Sequence, residues 1–111
     1  MKKYSVVLSD IAKEQINDTL DYIADILLNP QAVRNYIISF EKACDDLSVF
    51  PEAYPILDER GLEGKGIRKK SIEFTIAYYW VDKNTKTVNV IAILNTSFRK
   101  TPHTPYLALN S

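Results

Sequence analysis

Four basic residues, Lys65, Arg68, Lys69 and Lys70, lie close together in the segment GKGIRKK. Side chains at positions i and i+2 of an extended chain point to the same face, so Arg68 and Lys70 would act together and Lys69 would point the other way. Guanidinium and ammonium groups bind phosphate oxygens and stabilise negative charge that develops on them. The cluster is therefore either a working surface for a polyanion or the solvated start of a strand.

The charges of the chain are divided unevenly, although they sum to zero. Residues 1–59 carry five basic and eleven acidic groups, a balance of −6, whereas residues 60–111 carry nine basic and three acidic groups, a balance of +6. Such asymmetry is typical of chains that contact nucleic acid or an oppositely charged partner. The alternative is that helix surfaces are acidic and strand ends basic without a functional reason.

Two other residue types capable of chemistry occur once each. A histidine titrates near neutral pH and could act as an acid or a base, but His103 lies in a Pro-flanked tail, where a lone histidine is more often only solvated. No second His, Cys or carboxylate lies at metal-ligand spacing from it, so no metal site is predicted. Cys44 lies on an apolar helix face and is expected to belong to the core rather than to react.

An aromatic run follows the basic cluster. Alternation along an extended segment gives it two faces, one of Phe74, Ile76, Tyr78 and Trp80 and one of Thr75, Ala77, Tyr79 and Val81. The face with more aromatic rings is predicted to be core, although its rings could instead stack on nucleobases. Tyr79 is then predicted to lie on the outer face, within reach of a ligand.

Apolar spacing predicts two consecutive helices after a short first strand. The strand spans residues 4–8, and Ser9 or Asp10 can cap the helix that follows it. The apolar stripes are Ile16, Leu20, Ile23 and Leu27 in the first helix, and Val33, Ile37, Phe40, Cys44 and Leu47 in the second. Asn29 and Pro30 separate the helices with almost no loop, so the helices must fold back as an antiparallel hairpin.

The second half of the chain is predicted to form strands. After a break at FPEAYP and an irregular connection over residues 56–66, strands are expected at 67–71, 74–81 and 87–94. In the last strand, Val88, Val90 and Ala92 are predicted to share one face. Ile91 and Ile93 are predicted to lie on the other. Helices grouped before strands indicate an α+β fold: an N-terminal strand, an antiparallel helix hairpin, and a C-terminal antiparallel sheet of about three strands.

Length and composition indicate one domain. A chain of 111 residues, 46% of them hydrophobic, can bury a single core, and it contains neither repeats nor a linker. We therefore predict a single domain over residues 1–111, with 101–111 as a flexible or loosely packed tail. One cysteine permits no internal disulfide, which fits a reducing cytoplasm, and no apolar run is long enough to span a bilayer. A cytoplasmic protein without membrane contact is expected.

The layout resembles the RelE/ParE superfamily of bacterial toxins from type II toxin–antitoxin modules. The pieces that carry the resemblance are YSVVLSDIAKEQINDTLDYIAD, LSVFPEAYP and GIRKKSIEFTIAYYWVDKNTKTVNVIAIL, and the resemblance as a whole covers roughly residues 4–99. The resemblance implies a protein that arrests growth when free. It also implies a cognate antitoxin whose C-terminal segment wraps the toxin, and contact with operator DNA only through that antitoxin. The antitoxin is expected to be acidic where it crosses the basic strands and to bury an amphipathic helix in an apolar groove.

Members of this superfamily act in two ways. RelE-like toxins cut messenger RNA in the ribosomal A site without a metal or other cofactor, whereas ParE-like toxins poison DNA gyrase without chemistry. If the chain is RelE-like, the resemblance implies two sets of functional residues. The catalytic candidates are Arg68, Lys70, Arg99, Tyr106 and His103, and the RNA-binding candidates are Lys65, Lys69, Lys100 and Tyr79.

Several positions depart from the RelE pattern. Thr75 stands where RelE proper has Arg, and Asn95 stands where many members have His. The basic pair that usually follows is displaced to residues 99–100, and Tyr106 matches the C-terminal Tyr of the RelE branch only with gaps. The sequence therefore leaves three functions open: ribosome-dependent RNA cleavage, which the positive second half favours, gyrase inhibition, or binding by a toxin fold with weak or lost toxicity.

Overall fold

A mixed four-stranded sheet carries two helices on one face. The computed structural model describes residues 3–57 and 66–96. In chain order the elements are β1 (Ser5–Leu8), α1 (Asp10–Asp25), α2 (Pro30–Val49), β2 (Arg68–Ile72), β3 (Thr75–Asp82) and β4 (Thr87–Asn95). The strand order is β1-β4-β3-β2, with β1 parallel to β4 and the other neighbours antiparallel. The predicted α+β architecture is confirmed, and β1 extends the three-stranded antiparallel part as a parallel edge strand.

Both helices begin at side-chain caps and form the predicted hairpin. The Ser9 hydroxyl accepts a hydrogen bond from the Ala12 N–H at the start of α1, and the Asn29 side-chain oxygen accepts one from the Ala32 N–H at the start of α2. Pro30 occupies the first position of α2, where its missing N–H breaks no helical hydrogen bond. These local signals explain why the boundaries between the first strand and the two helices could be predicted.

The buried faces of the helices differ from the predicted stripes at two positions. Leu27 lies beyond the end of α1 and is 49% exposed. Ile37 is 39% exposed, whereas its neighbour Tyr36 is 1% exposed and lies on the buried face of α2. The Tyr36 hydroxyl hydrogen-bonds the Thr75 hydroxyl of β3 at 2.7 Å. Because that bond satisfies the one polar group of the ring, α2 can turn Tyr36 rather than Ile37 toward the sheet.

A β-bulge in β4 changes which of its side chains face the helices. The register of β4 against β3 shifts by one residue at Ile91. The extra residue changes the alternation, so Ile93 is buried on the same face as Val88 and Val90. The prediction that Ile93 lies opposite these two valines was wrong for this reason.

The N-cap residue of α1 and a residue in its N-terminal half form hydrogen bonds with the backbone of this bulge. The Ile93 N–H donates to the Gln15 side-chain oxygen at 2.6 Å, and the Ser9 hydroxyl donates to the Ile91 carbonyl at 3.0 Å. A bulge leaves backbone groups without partners in the neighbouring strand, and an unpaired buried group costs about 1–3 kcal/mol. Ala12, which is fully buried, allows α1 to approach the sheet here. The bulge therefore fixes the position of α1 on β4.

The side chains of β3 that face the helices are the opposite set from the one predicted. Three residues of β3 are at most 1% exposed: Thr75, Ala77 and Tyr79. Tyr78 and Trp80, predicted to be core, are only partly buried, and they lie on the face away from the helices. The prediction that Tyr79 lies on the outer face was therefore wrong. The small side chain of Ala77 gives the helices close access to the strand, which the larger rings would not.

Two predicted segments are not covered by this description. The loosely packed tail predicted over residues 101–111 lies outside the described residues, as does most of the connection predicted over residues 56–66. In the part of the chain that the structure describes, no helix is both long and apolar enough to cross a membrane.

Candidate functional site

Arg68 and Lys70 lie on the same face of β2, as predicted, but that face is turned toward the helices and the loop after α2. Each pairs across the sheet with a buried residue of β3, Arg68 with Tyr79 and Lys70 with Ala77. Their side chains are 15% and 14% exposed, respectively. The two cations therefore lie at the edge of the core rather than on an open surface.

Arg68 holds the loop that follows α2. Its Nη1 donates to the carbonyl oxygens of Tyr54 at 2.7 Å and Glu52 at 3.2 Å, and its Nη2 lies 3.8 Å from the Glu52 carboxylate. Main-chain pairing adds to these contacts, since the Leu57 N–H donates to the Ile67 carbonyl at 2.8 Å. The guanidinium thus satisfies carbonyl groups in a segment outside regular secondary structure, where such groups need partners from elsewhere.

Lys70 is bound to the same loop through an aromatic ring. Its Nζ donates to the Tyr54 hydroxyl at 2.9 Å and lies 4.3 Å from the centroid of that ring. A carboxylate oxygen of Asp46, in α2, lies 3.7 Å from the same nitrogen. Ring and carboxylate both attract the ammonium group electrostatically. A phosphate group that bound Lys70 would have to compete with these partners for the ammonium group of a side chain that is only 14% exposed.

Tyr79 also binds the loop after α2, from the core side of the sheet. Its side chain is fully buried, and its hydroxyl donates to the Pro51 carbonyl at 2.7 Å. Burial raises the pKa of the Tyr79 hydroxyl to about 12, and the Arg68 guanidinium opposes part of that effect. A neutral, buried phenol is neither a general base near neutral pH nor a stacking surface for a nucleobase. Five residues together form what we term the loop-anchoring cluster: Glu52, Tyr54, Arg68, Lys70 and Tyr79.

Sequence reasoning missed two members of the loop-anchoring cluster. Glu52 and Tyr54 belong to the FPEAYP segment, which was interpreted only as a helix break. Their contacts with Arg68 and Lys70 join residues 14 to 16 positions apart. No periodic pattern signals such contacts, because they depend on how the loop folds back onto β2.

Lys69 points to the other face of β2, as predicted, and is exposed. It lies opposite Tyr78 of β3, and Ile76 and Trp80 lie on the same face of that strand. Among the described residues, no helix covers this outer face of the sheet. A nucleobase could therefore reach the face that carries Tyr78 and Trp80, whereas it could not stack on the buried ring of Tyr79.

The positions that depart from the RelE pattern have defined places in the fold. Thr75 is fully buried and its hydroxyl donates to the Ile72 carbonyl at 2.7 Å, so it must accept its other hydrogen bond from Tyr36. An Arg at position 75 would place a charge in the core beneath the Tyr36 ring, and burying a charge there would lower the stability of the fold considerably. Asn95 is the last residue of β4 and pairs with Thr75.

Five of the nine predicted site residues lie outside the described residues: Lys65, Arg99, Lys100, His103 and Tyr106. The roles assigned to them stay predictions. Within residues 3–57 and 66–96, no group of three or more His, Cys, Asp or Glu side chains is arranged to hold a metal ion.

Known proteins resemble this chain both in sequence and in fold. Residues 6–100 match the sequence model of a family described as "ParE toxin of type II toxin-antitoxin system, parDE". The fold is similar to a chain of the chromosomal ParDE TA system from P. aeruginosa, at 16% identity and a TM-score of 0.64, covering 84% of this chain and 96% of that one. It is also similar to a chain of the RelBE2 toxin–antitoxin complex from Mycobacterium tuberculosis, at 19% identity and a TM-score of 0.58, covering 84% of this chain and 98% of that one. No curated protein sequence matches significantly.

Proposed function

This chain belongs to the ParE family of toxins from type II toxin–antitoxin systems, and we propose that it arrests growth by binding DNA gyrase without catalysing a reaction. Its place in such a system implies a cognate antitoxin that neutralises it. We further propose that it acts in the cytoplasm and contacts operator DNA only through that antitoxin. The alternative mechanism for a toxin of this fold is cleavage of messenger RNA on the ribosome.

The engagement of Arg68 and Lys70 in the loop-anchoring cluster carries this proposal. Metal-free cleavage of RNA needs a base for the 2′-hydroxyl, cations for the charged phosphorane and an acid for the leaving oxygen. The two strand cations already bind carbonyl, phenol and carboxylate oxygens. Thr75, a neutral residue, stands where RelE proper has Arg. These features favour recognition of a protein target over acid–base chemistry.

Ribosome-dependent cleavage of messenger RNA is the second candidate, because the second half of the chain is strongly basic. Residues 60–111 have a charge balance of +6, which suits a phosphate-rich target since neutralising phosphates releases counterions. Such an enzyme would draw its remaining catalytic groups and its RNA contacts from two sets of residues. The first is Arg99, His103 and Tyr106, and the second is Lys65, Lys100 and the exposed Lys69.

Induction of the chain in cells that lack its antitoxin separates the candidates when RNA 5′ ends and plasmid topology are mapped together. Gyrase inhibition should produce gyrase-dependent double-strand breaks while messages stay intact. Cleavage within translated codons, with normal plasmid topology, would overturn the proposal in favour of the second candidate. Continued growth with neither effect would overturn both and leave a toxin fold that binds its antitoxin but has lost toxicity.

A chain carrying His103→Ala and Tyr106→Phe refines this comparison. It lacks acid–base groups that the RNA-cleaving candidate would use, so RNA cleavage predicts that cutting falls by about 100-fold or more. Gyrase binding predicts that growth arrest is unchanged at equal expression. Lys42→Ala, a change at an exposed position of α2, controls for the effect of substitution itself.

A further inference from the structure

The tip of the helix hairpin exposes three consecutive large aliphatic side chains. Between the end of α1 and the start of α2, Ile26, Leu27 and Leu28 are 63%, 49% and 78% exposed, respectively. Leu28 is more exposed than any other large hydrophobic residue that the structure describes. Single exposed leucines are ordinary, but an apolar patch formed by several neighbours typically marks a surface for a partner.

The backbone conformation at Leu28 is unfavourable for a leucine. Its φ is +49°, in the left-handed region, where a Cβ atom approaches the following carbonyl oxygen. Glycine and asparagine tolerate this conformation better. The exposed side chain gains too little burial within the chain to offset the strain. Local structure therefore does not explain why a leucine occupies this position.

An open recess lies beside Leu28. It has a volume of about 450 Å³ and is lined mainly by apolar side chains, which are those of Ala24, Leu28, Pro30 and Val33. Concave apolar surfaces of this size can receive a side chain of another molecule. A partner side chain that entered the recess would contact Leu28 and the first turn of α2 together.

Carboxylates beside the tip lie where they destabilise the helix that carries them. Asp21 and Asp25 are exposed, four positions apart near the end of α1, and no basic residue lies in its last turn. Like charges at this spacing repel, and a negative charge near the C-terminus of a helix interacts unfavourably with the helix dipole. Neither carboxylate has an ion-pair partner among residues 3–57 and 66–96. Both are available to a partner.

The strained leucine and the unpaired carboxylates occur at the same end of the hairpin. Sequences depart from local stability mainly where a function requires the departure. An exposed apolar patch bordered by carboxylates is complementary to an apolar pocket with a basic rim. Gyrase must hold the phosphate backbone of DNA, so it carries basic surfaces of this kind.

We propose that the tip of the helix hairpin is the surface through which this chain binds gyrase. The inference rests on the proposed function of the chain as a gyrase inhibitor. Leu28 enters an apolar pocket of gyrase, and Asp21 and Asp25 face basic residues beside the path of the DNA. Docking beside that path leaves the DNA in place, as the double-strand breaks expected of this toxin require.

A second copy of the chain fits the tip less well than gyrase does. Two tips in contact would bring Asp21 and Asp25 of both copies together, and like charges across an interface oppose association. Arg34 is the cation that lines the recess, and its guanidinium already donates to the Gln31 side chain at 2.9 Å.

Leu28→Asn tests the inference, because asparagine suits the left-handed backbone better than leucine does. Affinity for the intact gyrase holoenzyme is measured by biolayer interferometry with the purified full-length chain. The Kd should rise at least about tenfold, since the interface loses a buried leucine side chain. The free energy of unfolding should be equal or higher, so the lost affinity would not reflect misfolding.

Two matched variants control this measurement. Leu28→Met keeps an apolar side chain of similar volume, and its Kd should stay within about threefold of that of the unsubstituted chain. Ile11→Asn removes a side chain that is 62% exposed near the other end of α1, and it should also change the Kd by less than about threefold. Equal losses for Leu28→Asn and Ile11→Asn would overturn the inference, since any exposed apolar residue would then serve.

Asp25→Asn tests the charge beside the tip. It removes a carboxylate that opposes the helix dipole, so the fold should be at least as stable as before. Association with gyrase at low salt should nevertheless slow by about threefold or more, because the basic rim attracts the carboxylate. An unchanged association rate would overturn the assignment of a basic rim.

Failure of the inference can be distinguished from failure of the proposed function. If the unsubstituted chain binds gyrase and Leu28→Asn binds it equally well, the tip is not the contact surface and the proposed function stands. If the unsubstituted chain does not bind gyrase, the proposed function fails and the inference fails with it. If Leu28→Asn binds gyrase normally but loses the cognate antitoxin, the tip is an antitoxin surface and the inference is overturned.

Discussion

Arg68 illustrates how a basic residue can serve the fold rather than a charged surface. Arg68→Ala removes two hydrogen bonds to loop carbonyls, of which the one to Tyr54 is partly buried. We expect the free energy of unfolding to fall by about 2–3 kcal/mol, because bonds from a charged donor are the stronger class. Urea denaturation followed by circular dichroism measures the change.

Lys69 provides the matched control for this prediction, because it neighbours Arg68 in sequence but is exposed on the other face. Lys69→Ala should change the free energy of unfolding by less than about 0.5 kcal/mol. Arg68→Lys should recover only part of the lost stability, since an ammonium group lacks the planar fork of the guanidinium. Equally small effects at Arg68 and Lys69 would contradict a structural role for Arg68.

The buried hydroxyl of Tyr79 makes stability depend on pH in the alkaline range. Its pKa is about 10 in an unfolded chain and about 12 in the folded chain. Below pH 10 the hydroxyl is protonated in both states, so its contribution to stability is fully present. As pH rises from 10 to 12 only the unfolded state loses the proton, and stability falls. Tyr79→Phe should therefore show a shallower fall, measured as the free energy of unfolding at a series of pH values.

Two other effects shape the comparison between Tyr79 and its Phe variant. The variant should be less stable by about 1 kcal/mol even near neutral pH, because the Pro51 carbonyl loses its donor. Burial also raises the pKa of Tyr36, which both proteins retain, so some loss of stability at high pH should persist in the variant. Parallel curves for the two proteins would argue against the raised pKa of Tyr79.

At the scale of elements, the attachment of α1 to the bulge of β4 depends on one side chain. Gln15→Leu leaves the Ile93 N–H without an acceptor, and an unsatisfied buried donor costs about 1–3 kcal/mol. Gln15→Glu keeps an acceptor oxygen in place and should retain most of the stability. Chemical denaturation of the two variants measures the difference. If both lose stability equally, side-chain packing rather than the hydrogen bond holds the helix.

The order of the elements could be predicted because each boundary depends on nearby residues. Ser9 and Asn29 are capping residues, and Pro30 follows directly at the first position of α2. The buried face of β3 depends instead on distant contacts, such as the bond from Tyr79 to a carbonyl 28 positions away. In the same way, strand alternation predicts that Arg68 and Lys70 share a face of β2. It does not predict which face the helices cover, because that depends on tertiary packing.

At the scale of the whole molecule, opposite charges are separated along a chain whose sum is zero. The basic second half should let the protein bind a polyanion such as immobilised heparin at low salt, despite its neutrality, because local potential rather than net charge attracts an extended polyanion. Lys69→Glu should lower the salt concentration needed for elution. Lys42→Glu changes the net charge equally within the acidic half, and it should have a smaller effect. Equal shifts would show that only the net charge matters.

The loop held along β2 also limits how copies of this toxin can aggregate. Open-ended growth of a β-aggregate requires two available strand edges on every molecule, since each copy must pair on both sides. Because the chain's own loop already bridges the first residue of β2, another strand cannot pair along the whole of that edge, and we expect pairing through β1 to stop at two molecules. Release of the loop would convert this terminating contact into a propagating one. The residues that anchor it therefore protect the antitoxin-free protein from fibre formation as well as from unfolding.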